Sequence, residues 1–325
     1  MKTQEYYLDY FKEHLSSFLN AMETEPKFLY EPVRYALSAG GKRIRPVLCL
    51  MSAEMFGASA DKAIDAALGL EIFHNFTLLH DDIMDKSDMR RGRPTVHKKW
   101  TENIAILSGD LMSLVACKCA AKTAVNREKV LETFLQTAIE ICEGQQYDMD
   151  FETETDVSVD EYMKMINLKT AVLLAGSLKV GALIAGASES DCENIYQYGR
   201  YAGLAFQLQD DLLDTYGNAA VFGKPIGGDI AENKKTFLLI NAINLASGST
   251  KKELLEWISK ENFDRDEKYN SVKAIYDTLN IKDLTIKKIE ECYSIADSYL
   301  QKVSLPDSEK AVLRNYMDSM RSRSY

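Results

Sequence analysis

Apolar residues recur along this chain at three- and four-residue intervals rather than in alternation. Between residues 127 and 152, Val130, Phe134, Ala138, Ile141 and Cys142 fall on one helical face with Glu and Gln opposite, the pattern of a helix that packs one side against a core. Ala63 to Leu79 is apolar almost all round, interrupted mainly by Asp65, Glu71, His74 and Asn75, as befits a helix enclosed by other helices. Tyr198 to Leu208 has the same character. No alternating β-branched run bounded by hairpin signals occurs, and no proline lies between Pro94 and Pro225, so long helices can run unbroken. The expected fold class is all-α, a helical bundle. The 325 residues are read as a single domain, 1–325, whose weakest joint is Ser247-Gly248-Ser249-Thr250.

Two of the apolar runs end in the same way. Asp81-Asp82-Ile83-Met84-Asp85 and Asp210-Asp211-Leu212-Leu213-Asp214 share one spacing, and Phe76-Thr77-Leu78-Leu79-His80 and Phe206-Gln207-Leu208-Gln209 lead into them in similar order. On a helix the i and i+4 carboxylates stand one turn apart on one face, a like-charge patch that destabilises the helix unless cations arrive. Hard carboxylate oxygens without a Cys or His array suit Mg²⁺, which takes one or two protein carboxylates and completes its shell with water and substrate phosphate. Neither cluster has the spacing or closing Glu of a calcium hand. The reading is of two facing helices that offer metal ligands across one cavity.

The net charge of −10 argues against general nucleic-acid binding, which needs a basic face. The cations are nonetheless gathered. Lys42, Arg43 and Arg45 sit together, and Lys86, Arg90, Arg91, Arg93, Lys98 and Lys99 follow the first aspartate cluster, which suggests a small polyanionic ligand. The six cysteines show no C-x-x-C and read as reduced, packed thiols. Residues 1–20 lack an apolar signal core, and no stretch reads as a membrane span, so a soluble, cytoplasmic protein is expected.

Local patterns add candidates. Gly40-Gly41-Lys42-Arg43-Ile44-Arg45-Pro46 joins two glycines to a basic turn that opens a helix, where backbone N–H groups, Lys42 and Arg45 can hold a diphosphate; a surface loop with helix-starting charges fits the same residues. Arg90 and Arg91 lie close after Asp85, and arginine forks bind phosphate oxygens bidentately. His74 precedes Asp81 by two helical turns: alone it reads as a satisfied core histidine, beside the aspartate face as a phosphate donor. Lys169-Thr170 interrupts the apolar run Ile166 to Ala187, and a buried lysine there needs a bound diphosphate or the second acidic cluster as partner. Gln145 and Asp148 share a helix face near these groups. Phe222 to Ile230, followed by Lys234 and Lys235, reads as a Gly-rich loop that can fold over a charged substrate.

Together these motifs resemble the trans-isoprenyl diphosphate synthases of the polyprenyl synthetase family. The matching segments run in order from Gly40-Gly41-Lys42-Arg43-Ile44-Arg45-Pro46 through His80 to Asp85, Met89 to Pro94, Gly144 to Asp148, Lys169-Thr170 and Phe206 to Asp214, ending at Gly223-Lys224-Pro225. The resemblance implies an isoprenoid-synthase-type helical bundle around a central cavity, usually homodimeric. It also implies a short-chain geranylgeranyl or farnesyl diphosphate synthase, a prenyltransferase that condenses isopentenyl diphosphate with allylic prenyl diphosphates. Carried over by position, Asp81, Asp85 and Asp210 ligate three Mg²⁺ ions, for which Mn²⁺ can substitute, and Asp82, Asp211 and Asp214 support them. Arg90, Lys169, Gln207, Lys224 and Lys234 contact the allylic diphosphate or its cation. Lys169, Thr170 and Gln207 form the catalytic group, with the Thr170 and Gln207 oxygens stabilising the cation. Lys42, Arg45, His74 and Arg91 hold isopentenyl diphosphate. No role carries over to Arg321-Ser322-Arg323.

In the family a bulky aromatic at the fifth position before the first motif limits elongation. Phe76 and Thr77 lie five and four residues before Asp81, about 6 to 8 Å along a helix axis, and Phe73 lies one turn deeper. The expected product is therefore short, C20 in preference to C15. A terpene cyclase or head-to-head synthase shares the helices but needs no second basic site such as Lys42 and Arg45, and a non-catalytic subunit of a heteromeric synthase tends to lose acidic residues that are whole here.

Overall fold

A computed structural model describes residues 2–217 and 226–321. Its helices are α1 (Gln4–Ala21), α2 (Lys27–Leu37), α3 (Ile44–Met55), α4 (Ala60–Met84), α5 (Val96–Lys99), α6 (Glu102–Ala120), α7 (Arg127–Thr153) and α8 (Val159–Ile166). After a π-helical turn at Asn167–Ala171 come α9 (Val172–Ala185), α10 (Glu189–Tyr216), α11 (Gly228–Ala231), α12 (Phe237–Leu245), α13 (Gly248–Ser259), α14 (Arg265–Thr278), α15 (Ile281–Lys302) and α16 (Asp307–Arg321). The all-α expectation holds, with one small exception. Met89–Arg90 (β1) and Arg93–Pro94 (β2) pair as a two-stranded hairpin. Its turn residues Arg91 and Gly92 both have positive φ, 52° and 73°, the signature of a tight two-residue hairpin turn.

Residues gather into two compact units that interleave along the chain. The first contains Met1–Ile139, Leu173–Tyr196 and Lys302–Tyr316. Its centre is α4, whose Ala63, Ala66, Ala67, Leu70 and Ile72 are all buried, as its all-round apolarity requires. Gly69 lets α6 lie close, since a Cβ there would stand 2.8 Å from the Ala116 carbonyl oxygen. Thr101 caps α6 by accepting from the Ile104 amide at 3.2 Å, one of the orphan donors of a helix start. Ser52 on α3 donates to the Leu178 carbonyl of α9 at 2.6 Å, which satisfies a hydroxyl with no access to water.

The second unit contains Glu140–Val172, Gln197–Gln301 and Met317–Tyr325. Here α8 starts with a capping box in which Ser158 and Glu161 satisfy each other's backbone amides. The buried Tyr162 ring lies 6.4 Å from that of Phe237 on α12. Lys268 is wholly buried because its ammonium donates to the Ala231 carbonyl at 3.1 Å and stands over the Phe263 ring.

Two sequence readings change. The 19-residue α6 and the continuous helical run Val159–Ala185 are long and apolar enough to cross a membrane by length and composition. Fusion of α8, the π turn and α9 makes the second longer than its separate apolar segments suggest, and most of it is buried within the protein. On α7, Val130, Phe134 and Ile141 are buried as their period requires, whereas Cys142 is exposed. All six cysteines are unpaired thiols.

Candidate active site

In the first unit, cations converge on His74. Arg45 opens α3 and its guanidinium lies 3.1 Å from His74 Nε2; a guanidinium can only donate, so Nε2 accepts and the imidazole proton sits on Nδ1. Burial, with the fields of Arg45, Arg91, Arg90 and Arg43, holds the His74 pKa well below its ordinary value, so the imidazole is neutral. The hairpin turn aims Arg91, which donates to the Gly40 carbonyl, and burial followed by repulsion from Arg43 lowers its pKa as well. Arg90 pairs with Asp82 at 2.7 Å. Four guanidinium groups thus face two buried carboxylates, Glu71 and Asp82. Such a cluster of guanidinium groups suits a phosphate anion.

The first aspartate cluster ends α4, and its members differ in environment. Asp82 is buried against Arg90, with burial raising its pKa despite that pairing. Asp81 is half-buried, and Asp85 is exposed at the C-cap. Behind them His80 occupies the space that a side chain at Gly109 would fill, its Nε2 3.2 Å from the Ile106 carbonyl oxygen. Below lies an aromatic ladder. The Phe76 ring is 4.7 Å from His80 and 5.3 Å from Phe73, which is 5.6 Å from Phe134 on α7. Thr77 turns its hydroxyl to the His74 carbonyl at 2.9 Å. Lys42 is exposed beside Gly41.

In the second unit, Asp211 and Asp214 of α10 are buried, and Asp210 is half-buried. Asp211 accepts from the Tyr162 hydroxyl and from Gln207 Nε2 at 2.9 Å. Burial pushes its pKa up to about 6. Burial and the neighbouring Asp211 push Tyr162 well above its ordinary range, so at neutral pH the phenol is the donor. Asp214 accepts from the Asp229 amide at 2.9 Å and, through its backbone carbonyl, from Gly227 at 2.7 Å, which anchors the segment leading into α11. Asp82, Asp211 and Asp214 are thus buried with partners from the protein, whereas Asp81 and Asp210 are half-buried and Asp85 is exposed.

Lys169 and Thr170 project from the π turn. Lys169 pairs with Asp148 of α7 at 2.5 Å, so of the two partners its place in the sequence allowed, a bound diphosphate or the second acidic cluster, the cluster is not the one it meets. Burial opposes the Asp148 carboxylate, but Lys234 and Lys169 outweigh it and hold its pKa below the ordinary value. The Thr170 hydroxyl donates to Gln207 Oε1 at 2.9 Å, which leaves the Gln207 amide free to orient Asp211. The turn exists where two glycines admit it: a Cβ on Gly144 would stand 2.7 Å from Lys169 Cα, and one on Gly203 would stand 2.7 Å from Ala171 Cα. Lys224 and the Gly223-Lys224-Pro225 motif lie outside the described residues. At the C-terminus the Arg321 carbonyl accepts from Gln209 at 3.0 Å and its guanidinium stands over Tyr293.

Sequence reasoning missed Tyr162, the Arg43–Glu71 ion pair and the π turn. A tyrosine at helical spacing in an apolar stretch signals only core, and no residue in Asn167-Leu168-Lys169-Thr170-Ala171 disfavours an ordinary helix. Glu71 stood out only as an interruption of the α4 pattern.

Among the described residues no three carboxylate, His or Cys side chains converge to hold a metal unaided. An oxygen-only donor set that is incomplete without further ligands fits Mg²⁺, whose shell is finished by water and substrate phosphate. The polyprenyl synthetase model matches residues 26–279. The geranylgeranyl diphosphate synthase of Methanosarcina mazei is 39% identical over 93% of this chain and 92% of its own, and the geranylfarnesyl diphosphate synthase of Aeropyrum pernix is 34% identical over 92% and 95%. A crystal structure of a geranylgeranyl pyrophosphate synthase superposes with a TM-score of 0.95 at 45% identity and covers all of both chains. This fold and these motifs define a helical enzyme of prenyl transfer. The chain belongs to the polyprenyl synthetase family.

Proposed function

We propose that this protein condenses isopentenyl diphosphate head-to-tail with an allylic diphosphate to give an all-trans prenyl diphosphate, with C20 as the favoured end product and Mg²⁺ as the cofactor. The observation that carries the reading is, in the first unit, a cluster of arginines around His74 of α4 together with the carboxylates Asp81 and Asp85 at the end of that helix. This arrangement supports one diphosphate held by the arginine cluster without metal and a second held through metal at the aspartates, as two diphosphate substrates require. The geranylgeranyl and geranylfarnesyl names of the relatives support prenyl elongation but differ in length.

Asp81, Asp85 and Asp210 would hold the metal, which supplies charge stabilisation for the departing diphosphate. Arg90, Lys234 and Lys224 are assigned to the allylic diphosphate, with Lys169 beside its ionising carbon. Their cationic groups favour the diphosphate more as its C–O bond breaks than before, and that difference accelerates the reaction. The Thr170 and Gln207 oxygens, fixed by their mutual hydrogen bond, offer dipoles to the allylic cation. Lys42, Arg45, His74 through its Nδ1 proton, and Arg91 hold isopentenyl diphosphate so that its double bond attacks that cation. The proton then lost passes to the released diphosphate. The aromatic ladder of Phe73, Phe76 and Phe134 supports an early stop to elongation, and Thr77 beside it adds little bulk.

A homodimer belongs to the same proposal. Ile106, Leu107 and Leu114 expose apolar surface on α6, Leu114 to 68%, more than an unpartnered helix tends to present in one stripe. Light scattering that returns the mass of one chain would remove that part.

Purified protein, labelled isopentenyl diphosphate and C5, C10 and C15 allylic primers test the whole. The expected outcome is elongation ending at C20, abolished by EDTA and by Asp81→Ala. No elongation from any primer sinks the proposal.

A further inference from the structure

We infer that Glu71 is a positioning residue for the pocket assigned above to isopentenyl diphosphate: acting through Arg43, it fixes the Gly40–Arg45 turn that presents Lys42 and Arg45. The inference rests on that functional reading and deepens it.

Arg43 has left-handed backbone angles, φ 51° and ψ 39°, at the start of α3, with no side-chain cap. A non-glycine residue holds such a conformation only when its surroundings over-determine it, and here the guanidinium does so. Nη1 pairs with Glu71 Oε1 at 2.5 Å and Nη2 donates to the Leu37 carbonyl at 2.6 Å. The end of α2, the turn and the middle of α4 are thereby joined at one buried group, Arg43 being 7% exposed and Glu71 1%.

Glu71 is in turn held by Asn75, whose Nδ2 donates to its Oε1 and to its backbone carbonyl, both at 2.8 Å. Glu71 Oε2 is buried without a hydrogen-bond partner. Such a pair is a poor source of stability, because apolar residues of similar volume commonly replace a buried ion pair at no cost to the fold. Its placement has a clearer use. Glu71, His74 and Asn75 occupy one turn of α4, so the turn that anchors Arg43 from within also carries the imidazole that receives Arg45. Glu71 further offsets the positive charge of Arg43 and acts electrostatically on Arg91, which eases the gathering of these cations.

The test uses the full chain carrying Arg43→Met with Glu71→Met, which removes both charges without leaving either buried alone, and Glu71→Gln beside it. Thermal unfolding and the KM for each substrate are measured at saturating concentration of the other. The double variant is expected to unfold within a few degrees of the parent, with KM for isopentenyl diphosphate raised about 10-fold or more and KM for the allylic diphosphate changed less than about 2-fold. Glu71→Gln should show the same split with lower stability. An unchanged isopentenyl diphosphate KM, an equal rise in both constants, or a double variant that fails to fold overturns the inference. A parent protein that turns over while the variant matches it sinks this inference alone; a parent that never turns over sinks the functional reading and this one with it.

Discussion

Gly144→Ala tests whether the π turn positions the catalytic group. The new Cβ would lie 2.7 Å from both Leu168 C and Lys169 Cα, and closer still to the Lys169 amide nitrogen. Carbon contacts settle at about 3.5–4.0 Å, so α7 and the turn must separate by roughly 1 Å, and the obstacle is backbone that cannot rotate away. Overpacking of this kind costs about 1–3 kcal/mol, against which alanine returns up to ~1 kcal/mol of helix propensity. A net loss of at most about 2 kcal/mol leaves a protein of ordinary stability folded. Turnover should suffer far more, because the displaced turn carries both the Lys169 ammonium paired with Asp148 and the Thr170 hydroxyl paired with Gln207. A shift near 1 Å at a reacting centre can cost roughly 10²-fold; a fall of about 10- to 100-fold in kcat is expected. Gly176→Ala is the control for overpacking as such, since its Cβ would crowd the buried Thr137 side chain at 2.6 Å, on α9 beyond the π turn. Prenyl transfer by both variants is followed under saturating substrates, alongside thermal unfolding. If Gly144→Ala keeps more than half of the parent kcat, the close approach of α7 is not what places Lys169.

Removing the Phe76 ring should lengthen the product, because it opens the ladder between His80 and Phe73; chromatography of Phe76→Ala products should show C25 and longer, and an unchanged C20 distribution would assign the floor to another side chain. For pH, the sign follows from His74. Its folded pKa is depressed, so below the ordinary value of about 6.5 the unfolded chain binds the extra proton. This residue's penalty is therefore absent above about pH 6.5 and grows as pH falls, by at most about 1.4 kcal/mol per unit until the folded pKa is reached. The difference in melting temperature between the parent and His74→Gln should be constant above about pH 7 and shift against the parent toward pH 5; a difference that stays constant throughout would show that His74 is not held neutral.

The sequence made the helices and the chemistry-bearing residues legible for one reason: polar groups stand out where they interrupt an apolar period. Asp81, Asp210, His74 and Lys169 are visible in that way, and Ala63 to Leu79 reads as an enclosed helix because no solvent face is provided for. Orientation is less legible, since it depends on backbone departures that local composition does not encode. The hairpin that aims Arg90 and Arg91 needs positive φ at Arg91 and Gly92, and only the glycine hints at it. Lys169 finds Asp148 because two distant glycines make room for a π turn, and each alone looks like an ordinary weak point in a helix. Arg43 and Glu71 are separated by 28 residues and by a left-handed turn, so the first reads as one more cation and the second as a lapse in the α4 pattern. Groups assigned to substrate can thus be picked out by their residue types, whereas groups that hold them in place are recognisable only from the contacts that strain or bury them. For that reason the Glu71 and Gly144 variants, neither at a residue assigned to substrate, probe the part of this site that sequence comparison alone is least able to reveal.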